Sequence, residues 1–325
     1  MTCIVALIVA LVVGFASIST AQERGHDLLS GMNIPALGEL NIPGIGEINI
    51  PSFGGMPEPA RRPADNLSED GDTVEVHFID VGQGESILII APEKNVLIDG
   101  GDNGFGPTVL RYLDAQGVSS IDILIATHPH ADHIGGLIDV IGQLPVSKVI
   151  MPEVPDELVP TTRTYTNFLM ALLENGLSIT PAVAGEVYAL GGGATLTILS
   201  PMREYSRLND MSVVSRLEFG DISFLFTGDI EIAAEHDLAM AGGIRSDVLN
   251  LAHHGSRTSS TQIFLDAVNP SIAVIACGLD NGHGHPHRTV MERLQEMDIR
   301  VLRTDFDGSI MLVTDGVGIG ILTER

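Results

Sequence analysis

Short apolar runs alternate with amphipathic segments along the chain from Thr73 to the C-terminus. Apolar runs bounded by turn-forming residues predict β-strands, here at Val74–Val81, Ser86–Ile90, Val96–Ile98, Ile121–Thr127, Lys148–Met151, Thr195–Leu199, Ser212–Phe219, Ile222–Thr227, Val248–Ala252, Ile272–Ala276 and Ile310–Val313. Apolar residues three and four apart predict helices, here at Thr108–Ala115, Ile134–Gln143, Tyr165–Glu174, Glu231–Ala239, Thr261–Val268 and Arg288–Met297. Gly220-Asp221, between two predicted strands, is typical of a hairpin turn. Many strands with interspersed helices predict a layered α/β fold whose sheets are covered by helices.

The first 21 residues have the pattern of a secretory signal. Residues 4–18 form an uncharged apolar run, which is shorter than the ~20 residues that a membrane-spanning helix needs. We predict a signal peptide at 1–21, cleaved after Ala21, and therefore a secreted or cell-envelope protein with no stable membrane span. A retained anchor is the alternative, because the residues before the run carry no cationic side chain.

Residues 22–72 are predicted to be a Pro/Gly-rich linker. They contain an eight-residue repeat, with Asn-Ile-Pro at 33–35, 41–43 and 49–51. Regular Pro and Gly exclude a continuous helix and favour a semi-extended spacer. A small docking module is the alternative. The folded domain is expected at residues 73–325.

The composition excludes several classes of protein. The chain has 42 Asp and Glu against 17 Lys and Arg, a formal charge of −25, which disfavours binding of DNA or an anionic membrane by a broad basic face. Local binding of one phosphate through metal ions is not excluded. With only Cys3 and Cys277, a disulfide framework and a four-cysteine zinc module are excluded.

A cluster of metal-ligand types follows one predicted strand. His128, His130, Asp132 and His133 lie within six residues, directly after Ile121–Thr127. Imidazole and carboxylate groups both suit Zn²⁺, and carboxylate suits Mn²⁺. This loop is therefore a candidate metal site.

Other predicted strands end in residues of the same chemistry. Asp229 follows Ile222–Thr227, His253 and His254 follow the strand at 248–252, and Asp99 follows Val96–Ile98. Asp and Gly are also ordinary turn residues, so each ending alone would be unremarkable. Together with the histidine loop, they predict one rim at which several strand ends converge.

These motifs resemble the metallo-β-lactamase superfamily and, more narrowly, the hydrolase domain of the competence protein ComEC. The resemblance runs in order from about Val74 to the C-terminus and rests on Phe78–Ser86, Val96–Gly101, Thr127–Gly136, Asn209–Val214, Thr227–Asp229, His253–Ser256 and Asn281–Pro286. The first 72 residues match nothing in the family.

The resemblance implies an αββα sandwich with two divalent metal ions, zinc or manganese, at one edge of the sheets. His128 and His130 would bind the first metal and Asp132 and His133 the second, with Asp229 bridging both.

The remaining imidazole and the support of the loop are implied in the same way. His253 is the expected final ligand because it comes first after its strand, with His254 behind it as the alternative. Asp99 is expected to orient the histidine loop by accepting a hydrogen bond.

One departure from the family pattern concerns the first metal. Superfamily members usually carry a further ligating histidine between the loop and the bridging aspartate, where this chain has Asn209 and Asp210. Either residue is a candidate alternative ligand or supporting group. The first metal is therefore expected to bind more weakly, or only with substrate, and a mononuclear enzyme is the alternative.

The resemblance also indicates catalytic and substrate-binding residues. Asp132 and His285 are the expected catalytic residues, with Asn281 and His285 binding the scissile phosphate or protonating the leaving group. The other candidate substrate contacts are Gln83, Ser86 and Ser256.

The implied ligand set predicts a hydrolase. Two cations about 3.5–4 Å apart lower the pKa of a shared water toward 7 and generate a hydroxide nucleophile. The favoured function is a secreted phosphodiesterase or nuclease, acting on a phosphodiester or another small anionic substrate. The alternatives are a hydrolase of a small ester, lactone or phosphorylcholine-type envelope substrate, and a non-catalytic surface binding module on this scaffold.

Overall fold

The computed structural model describes residues 71–325. The predicted signal peptide, the Asn-Ile-Pro repeats and all but the last two residues of the predicted linker lie outside the described residues. Within the described part of the chain, no helix combines the length and apolar character needed to cross a bilayer.

Two mixed sheets form the centre of the domain. Their strands are β1 Val74–Phe78, β2 Ile87–Ile90, β3 Asn95–Ile98, β4 Ile121–Ile125, β5 Val146–Met151, β6 Ile179–Pro181, β7 Val187–Gly191, β8 Ala194–Ser200, β9 Val214–Phe219, β10 Ile222–Phe226, β11 Val248–Asn250, β12 Ile272–Ile275, β13 Arg300–Arg303, β14 Ile310–Thr314 and β15 Ile319–Thr323. The order is β15-β14-β1-β2-β3-β4-β5-β6 in the first sheet and β13-β12-β11-β10-β9-β8-β7 in the second.

Helices cover the outer face of each sheet. They are α1 Gly106–Ala115, α2 Ala131–Ile134, α3 Leu137–Gln143, α4 Arg163–Glu174, α5 Ile232–Ala241, α6 Gln262–Val268, α7 Arg288–Glu296 and α8 Thr304–Asp307. Three 3₁₀ segments, at Asp156–Leu158, Asn209–Met211 and Ala252–Gly255, lie in the connections.

Three apolar cores hold these elements together. The inner faces of both sheets meet in one core that contains Phe78, Phe224 and Phe226. A second core joins the first sheet to α1, α3 and α4, and a third joins the second sheet to α5, α6 and α7. The layers are therefore helix, sheet, sheet, helix, which confirms the predicted αββα sandwich.

The structure departs from the predicted elements mainly at sheet edges. Strands β6, β7, β13 and β15 were not predicted, because they are short or carry charged or turn-forming residues. The predicted helix at Ile134–Gln143 is broken into α2 and α3 at Gly135-Gly136. A methyl group on Gly136 would lie 2.0 Å from the Gly100 carbonyl oxygen, so this close backbone approach needs glycine.

The parallel parts of the sheets position the candidate site. Strands β3 and β4 are parallel in the first sheet, and β10 and β11 are parallel in the second. The loops that follow these four strands meet at one edge of the sandwich.

Candidate metal centre

The centre is assembled from the four loops that follow β3, β4, β10 and β11. Asp99 follows β3, and residues 128–133 follow β4. Asp229 follows β10, and the His253-His254 pair follows β11. Both histidines of that pair have a left-handed backbone, with φ of 53° and 56°. Consecutive side chains of a strand point to opposite faces, whereas this turn brings two adjacent imidazoles to the same carboxylate.

Asp99 supports the histidine loop. Its carboxylate accepts hydrogen bonds from the Thr127 backbone N–H at 2.8 Å and from the Thr127 hydroxyl at 2.6 Å. It also lies 2.7 Å from His133 Nδ1. Because an ionised carboxylate only accepts hydrogen bonds, Nδ1 carries the proton and Nε2 of His133 is left to face the centre.

The first group of potential metal ligands is His128, His130 and Asp229, whose nearest ligand atoms lie within 4.8 Å of one another. His128 Nε2 is 2.9 Å from His130 Nδ1 and 3.6 Å from Asp229 Oδ2. His128 and Asp229 are buried. A cation bound here would therefore have protein ligands in place of water molecules at two or more of its coordination positions.

The second group is Asp132, His133 and His254. His254 Nε2 lies 3.4 Å from Asp132 Oδ2, and His133 Nε2 lies 3.2 Å from Asp229 Oδ1. The two oxygens of Asp229 therefore face different groups, as a bridging carboxylate requires.

Three buried atoms without partners fit the binding of metal ions by these residues. His133 Nε2, His254 Nε2 and Asp229 Oδ1 are all buried and have no hydrogen-bond partner among residues 71–325. Leaving buried polar atoms unpaired costs about 1–3 kcal/mol each, and coordination of a cation would satisfy all three. The mixed imidazole and carboxylate donors suit zinc or manganese.

Electrostatics put several of these groups in their cation-binding forms. Burial, reinforced by the charge of His133, lowers the pKa of His128 well below its usual value, so its imidazole is neutral. Burial also lowers the pKa of His130. Burial alone would raise the pKa of Asp229, but His133 and His254 outweigh it and hold that pKa well below its usual value.

Asp132 and its two imidazole neighbours are coupled in the same way. Burial opposes ionisation of Asp132, yet the His254 imidazole beside it and the charge of His133 lower its pKa. Burial opposes charge on His133, but Asp229 and Asp99 raise its pKa well above the usual value. The carboxylates around His133 therefore favour positive charge at this position.

The two histidines after β11 take different positions at the centre, and the choice of His253 as a ligand stays a prediction. His254, rather than His253, joins the second group, because its Nδ1 donates to the Ala276 carbonyl oxygen at 2.8 Å and its Nε2 faces the centre. His253 Nε2 lies 3.7 Å from Asp229 Oδ2, so it stands beside the first group.

The structure also turns Asp210 away from a ligand position. Its carboxylate accepts hydrogen bonds from the backbone N–H groups of Glu231 at 2.9 Å and Ala234 at 3.1 Å, at the start of α5. The side chain therefore caps a helix. Asn209 lies closer to the centre, with its Nδ2 3.4 Å from His253 Nδ1.

Three predicted substrate contacts have other partners. The Ser86 hydroxyl is buried and donates to the Asp99 carbonyl oxygen at 3.2 Å. The Ser256 hydroxyl lies 3.0 Å from that of Thr258, and Gln83 Oε1 accepts from the Gly278 N–H at 3.2 Å. Each side chain thus has a partner within the protein, and its contact with substrate stays a prediction.

His285 reaches the centre, and Asn281 holds it there. The His285 ring centroid lies 5.7 Å from that of His253 and 6.2 Å from that of His254. The Asn281 side chain accepts from the His285 N–H at 2.9 Å and donates to its carbonyl oxygen at 2.6 Å. Burial, with the neighbouring imidazoles, lowers the pKa of His285 to about 4. A neutral His285 donates a hydrogen bond through one N–H, and its role toward the scissile phosphate or the leaving group stays a prediction.

Sequence reasoning missed two buried groups beneath the centre. Glu85 belongs to a third compact group with Asp99 and His133, and its Oε2 accepts from Asn250 Nδ2 at 2.9 Å. Burial raises the pKa of Glu85 to about 7. The available signal was a carboxylate in the glycine-rich stretch after β1 and an amide at the end of β11.

Comparison with known proteins identifies the family of this chain. The Metallo-beta-lactamase superfamily matches residues 79–279. ComE operon protein 3 of Bacillus subtilis is 34 % identical over 269 residues, which are 75 % of this chain and 33 % of that protein. Competence protein ComA of Neisseria gonorrhoeae is 31 % identical over 245 residues, 74 % of this chain and 32 % of that protein.

The similarity covers only part of these relatives, since the chain spans about a third of their length. Among solved structures, a metallo hydrolase from Ignicoccus hospitalis is 15 % identical, with a TM-score of 0.47, and the match covers 73 % of this chain and 98 % of that one. From the residues matched and the identity to its relatives, the chain belongs to the metallo-β-lactamase superfamily and has a domain similar to part of the ComEC-type competence proteins.

Proposed function

We propose that the protein is a metal-dependent phosphodiesterase that acts outside the cytoplasm. The observation that carries the proposal is the position of Asp229, with one oxygen toward His128 and the other toward His133 and His254. The uncharged apolar run at residues 4–18 supports export.

Some side chains of the site bind the cations, and others position the substrate. When bound, two divalent cations supply an acidified water and positive charge for the phosphoryl oxygens. Asp99 and Ala276 fix His133 and His254 so that their Nε2 atoms face the centre. His285 offers a neutral imidazole N–H beside it, which is suited to a phosphoryl oxygen or the leaving group.

A cavity beside His285 supports a small substrate. Its volume is about 280 Å³, and Leu279, Arg303 and Phe306 contribute to its wall. Arg303 is neutralised by Asp305, with 2.6 Å between Nη2 and Oδ2, and stacks on the Phe306 ring. The cavity therefore suits an uncharged organic group next to the scissile phosphate better than a run of phosphates, as the net charge of −25 also suggests.

The same cavity favours one second candidate, hydrolysis of a small ester or lactone. An uncharged organic group fits beside His285 in either case. The two candidates differ in the charge of the reacting centre, so substrates with a common leaving group separate them.

The test compares bis(4-nitrophenyl) phosphate, 4-nitrophenyl acetate and plasmid DNA, with the protein stripped by EDTA and reconstituted with Zn²⁺ or Mn²⁺. We expect the phosphodiester to be cleaved only by the reconstituted protein and the DNA to be a poor substrate. Asp229→Asn should lower the rate about 100-fold or more. Asp221→Asn is the matched control, because that exposed carboxylate lies at the opposite end of β10.

The outcomes distinguish the candidates. Phosphodiester cleavage that survives both EDTA and Asp229→Asn would refute the proposal. Faster cleavage of the acetate would favour the ester hydrolase. A protein that binds no cation and cleaves nothing would favour the non-catalytic module.

A further inference from the structure

The two adjacent histidines after β11 face different oxygens of Asp229. His253 Nε2 lies 3.7 Å from Asp229 Oδ2, the oxygen that also faces His128 at 3.6 Å. His254 Nε2 lies 3.6 Å from Asp229 Oδ1, the oxygen that faces His133. Each half of the centre thus has one imidazole from this pair.

The first group has two imidazoles, one fewer than the superfamily pattern gives it. Its compact ligands are His128, His130 and Asp229. The 3₁₀ segment Asn209–Met211 supplies no imidazole: Asp210 caps α5, and Asn209 directs its Nδ2 toward the His253 ring.

We infer that His253 is the third imidazole of the first group and takes the place of the histidine absent at 209–210, so that His253 and His254 are divided between two cations. The inference rests on the proposed function in one respect, since it takes the centre to hold two cations. Ligands on a tetrahedral zinc at about 2.0–2.1 Å lie roughly 3.4 Å apart, and the 3.7 Å from His253 Nε2 to Asp229 Oδ2 is close to that separation.

The backbone and the far side of the ring both favour this role. The His253 N–H donates to the Gly228 carbonyl oxygen at 3.0 Å, which ties the histidine to the turn that carries Asp229. His253 Nδ1 lies 3.3 Å from the Thr258 hydroxyl and 3.6 Å from Glu231 Oε1. Asn209 Nδ2 lies 3.4 Å from the same nitrogen, and the Asn209 Oδ1 has no hydrogen-bond partner among residues 71–325, so this amide with its oxygen and nitrogen exchanged presents an acceptor to Nδ1. With that oxygen, the Thr258 hydroxyl and Glu231 as acceptors, Nδ1 carries the proton and the Nε2 lone pair is left for a cation.

Exposure distinguishes the two halves of the centre. The His253 side chain is 22 % exposed and that of His254 is 1 % exposed. A cation held by His253 therefore lies nearer to solvent and should be the first of the two to be lost to a chelator.

The experiment measures metal content and affinity, with no substrate present. Wild-type protein and the variants His253→Asn, His254→Asn and His236→Asn are titrated with Zn²⁺ against a chromophoric chelator. Asn tolerates the left-handed backbone at 253 and 254, and circular dichroism checks folding. His236, whose side chain is 58 % exposed, is the matched control.

We expect wild type and His236→Asn to bind two cations. His253→Asn should keep one at wild-type affinity and bind the other more than about 10-fold more weakly. Combining His253→Asn with His128→Ala should leave one tight cation, because both changes damage the same half. Combining His253→Asn with His133→Ala should lose both.

Two results would overturn the inference. One is a folded His253→Asn variant that binds two cations as tightly as wild type. The other is loss of both cations when His253→Asn is combined with His128→Ala. A wild-type protein that binds no cation would instead refute the proposed function.

Discussion

The Asp99 carboxylate lies 2.7 Å from Nδ1 of His133, and this contact sets which nitrogen of the ring faces Asp229. The same carboxylate holds Thr127, the residue that precedes the histidine loop. A single side chain after β3 therefore governs the orientation of a loop after β4.

Removing the charge of Asp99 should loosen the second cation. Asp99→Asn keeps the shape of the side chain but turns an amide NH₂ group toward Thr127 or His133, both of which need an acceptor there. We therefore expect a 10- to 100-fold lower cation affinity. Calorimetric titration with Zn²⁺ measures it. Asp114→Asn, at an exposed position of α1, should bind as wild type does. Unchanged affinity in Asp99→Asn would show that the 128–133 loop keeps its orientation without the Asp99 carboxylate.

His285 should affect catalysis without affecting metal binding. Loss of a hydrogen bond to a charged phosphoryl group costs about 1.5–3 kcal/mol, so His285→Ala should lower kcat/KM for a phosphodiester about 10- to 100-fold. Metal content should stay at the wild-type value. His283→Ala, at an exposed position of the same loop, should retain activity. A loss of metal in His285→Ala would make His285 a ligand instead.

Gly136 should tolerate no side chain. A methyl group there would meet the Gly100 carbonyl oxygen, and we expect Gly136→Ala to destabilise the fold by about 1–3 kcal/mol and to disturb the histidine loop. Gly142→Ala is the contrast, because a methyl group at 142 meets nothing within 4 Å and should stabilise α3 by about 0.5–1 kcal/mol. Urea unfolding measures both changes. Equal stability of the two variants would contradict the close approach.

Glu235 should make the stability of the protein depend on pH. Burial raises its pKa to about 7, although the backbone N–H groups of Ser260 and Thr261 act against this shift. Between its ordinary pKa of about 4.5 and pH 7, the folded state holds a proton that the unfolded state releases, so stability falls as pH rises through this window.

The matching variant is Glu235→Gln. It gives up one backbone hydrogen bond, about 1 kcal/mol at every pH, but its stability should change less than that of wild type between pH 5 and 7.5. Urea midpoints in EDTA at the two pH values measure the difference. Equal slopes would show that Glu235 is ionised throughout.

The sequence predicted the convergence of the site because its chemistry follows apolar runs. Asp99, Asp229 and the histidine loop each come directly after a strand, and parallel strands bring such ends to one edge. The prediction that Asp229 lies beside the 128–133 loop agrees with the distance of 3.2 Å between Asp229 Oδ1 and His133 Nε2.

Long-range partners and backbone geometry could not be predicted in this way. Glu85 and Asn250 are 165 residues apart and meet only because the two sheets pack together. The selection of His254 over His253 for the second group depends on positive φ at both residues, which apolar periodicity does not reveal. The capping of α5 by Asp210 likewise depends on where the 209–211 segment is placed.

The central claim is that Asp229 lies between two cations, and anomalous diffraction from crystals grown with Zn²⁺ tests it most directly. We expect two anomalous peaks, one on each side of the Asp229 carboxylate, with His128 and His130 at one peak and Asp132, His133 and His254 at the other. A single peak away from Asp229, or ordered imidazoles at 128 and 133 with no peak between them and residue 229, would contradict it.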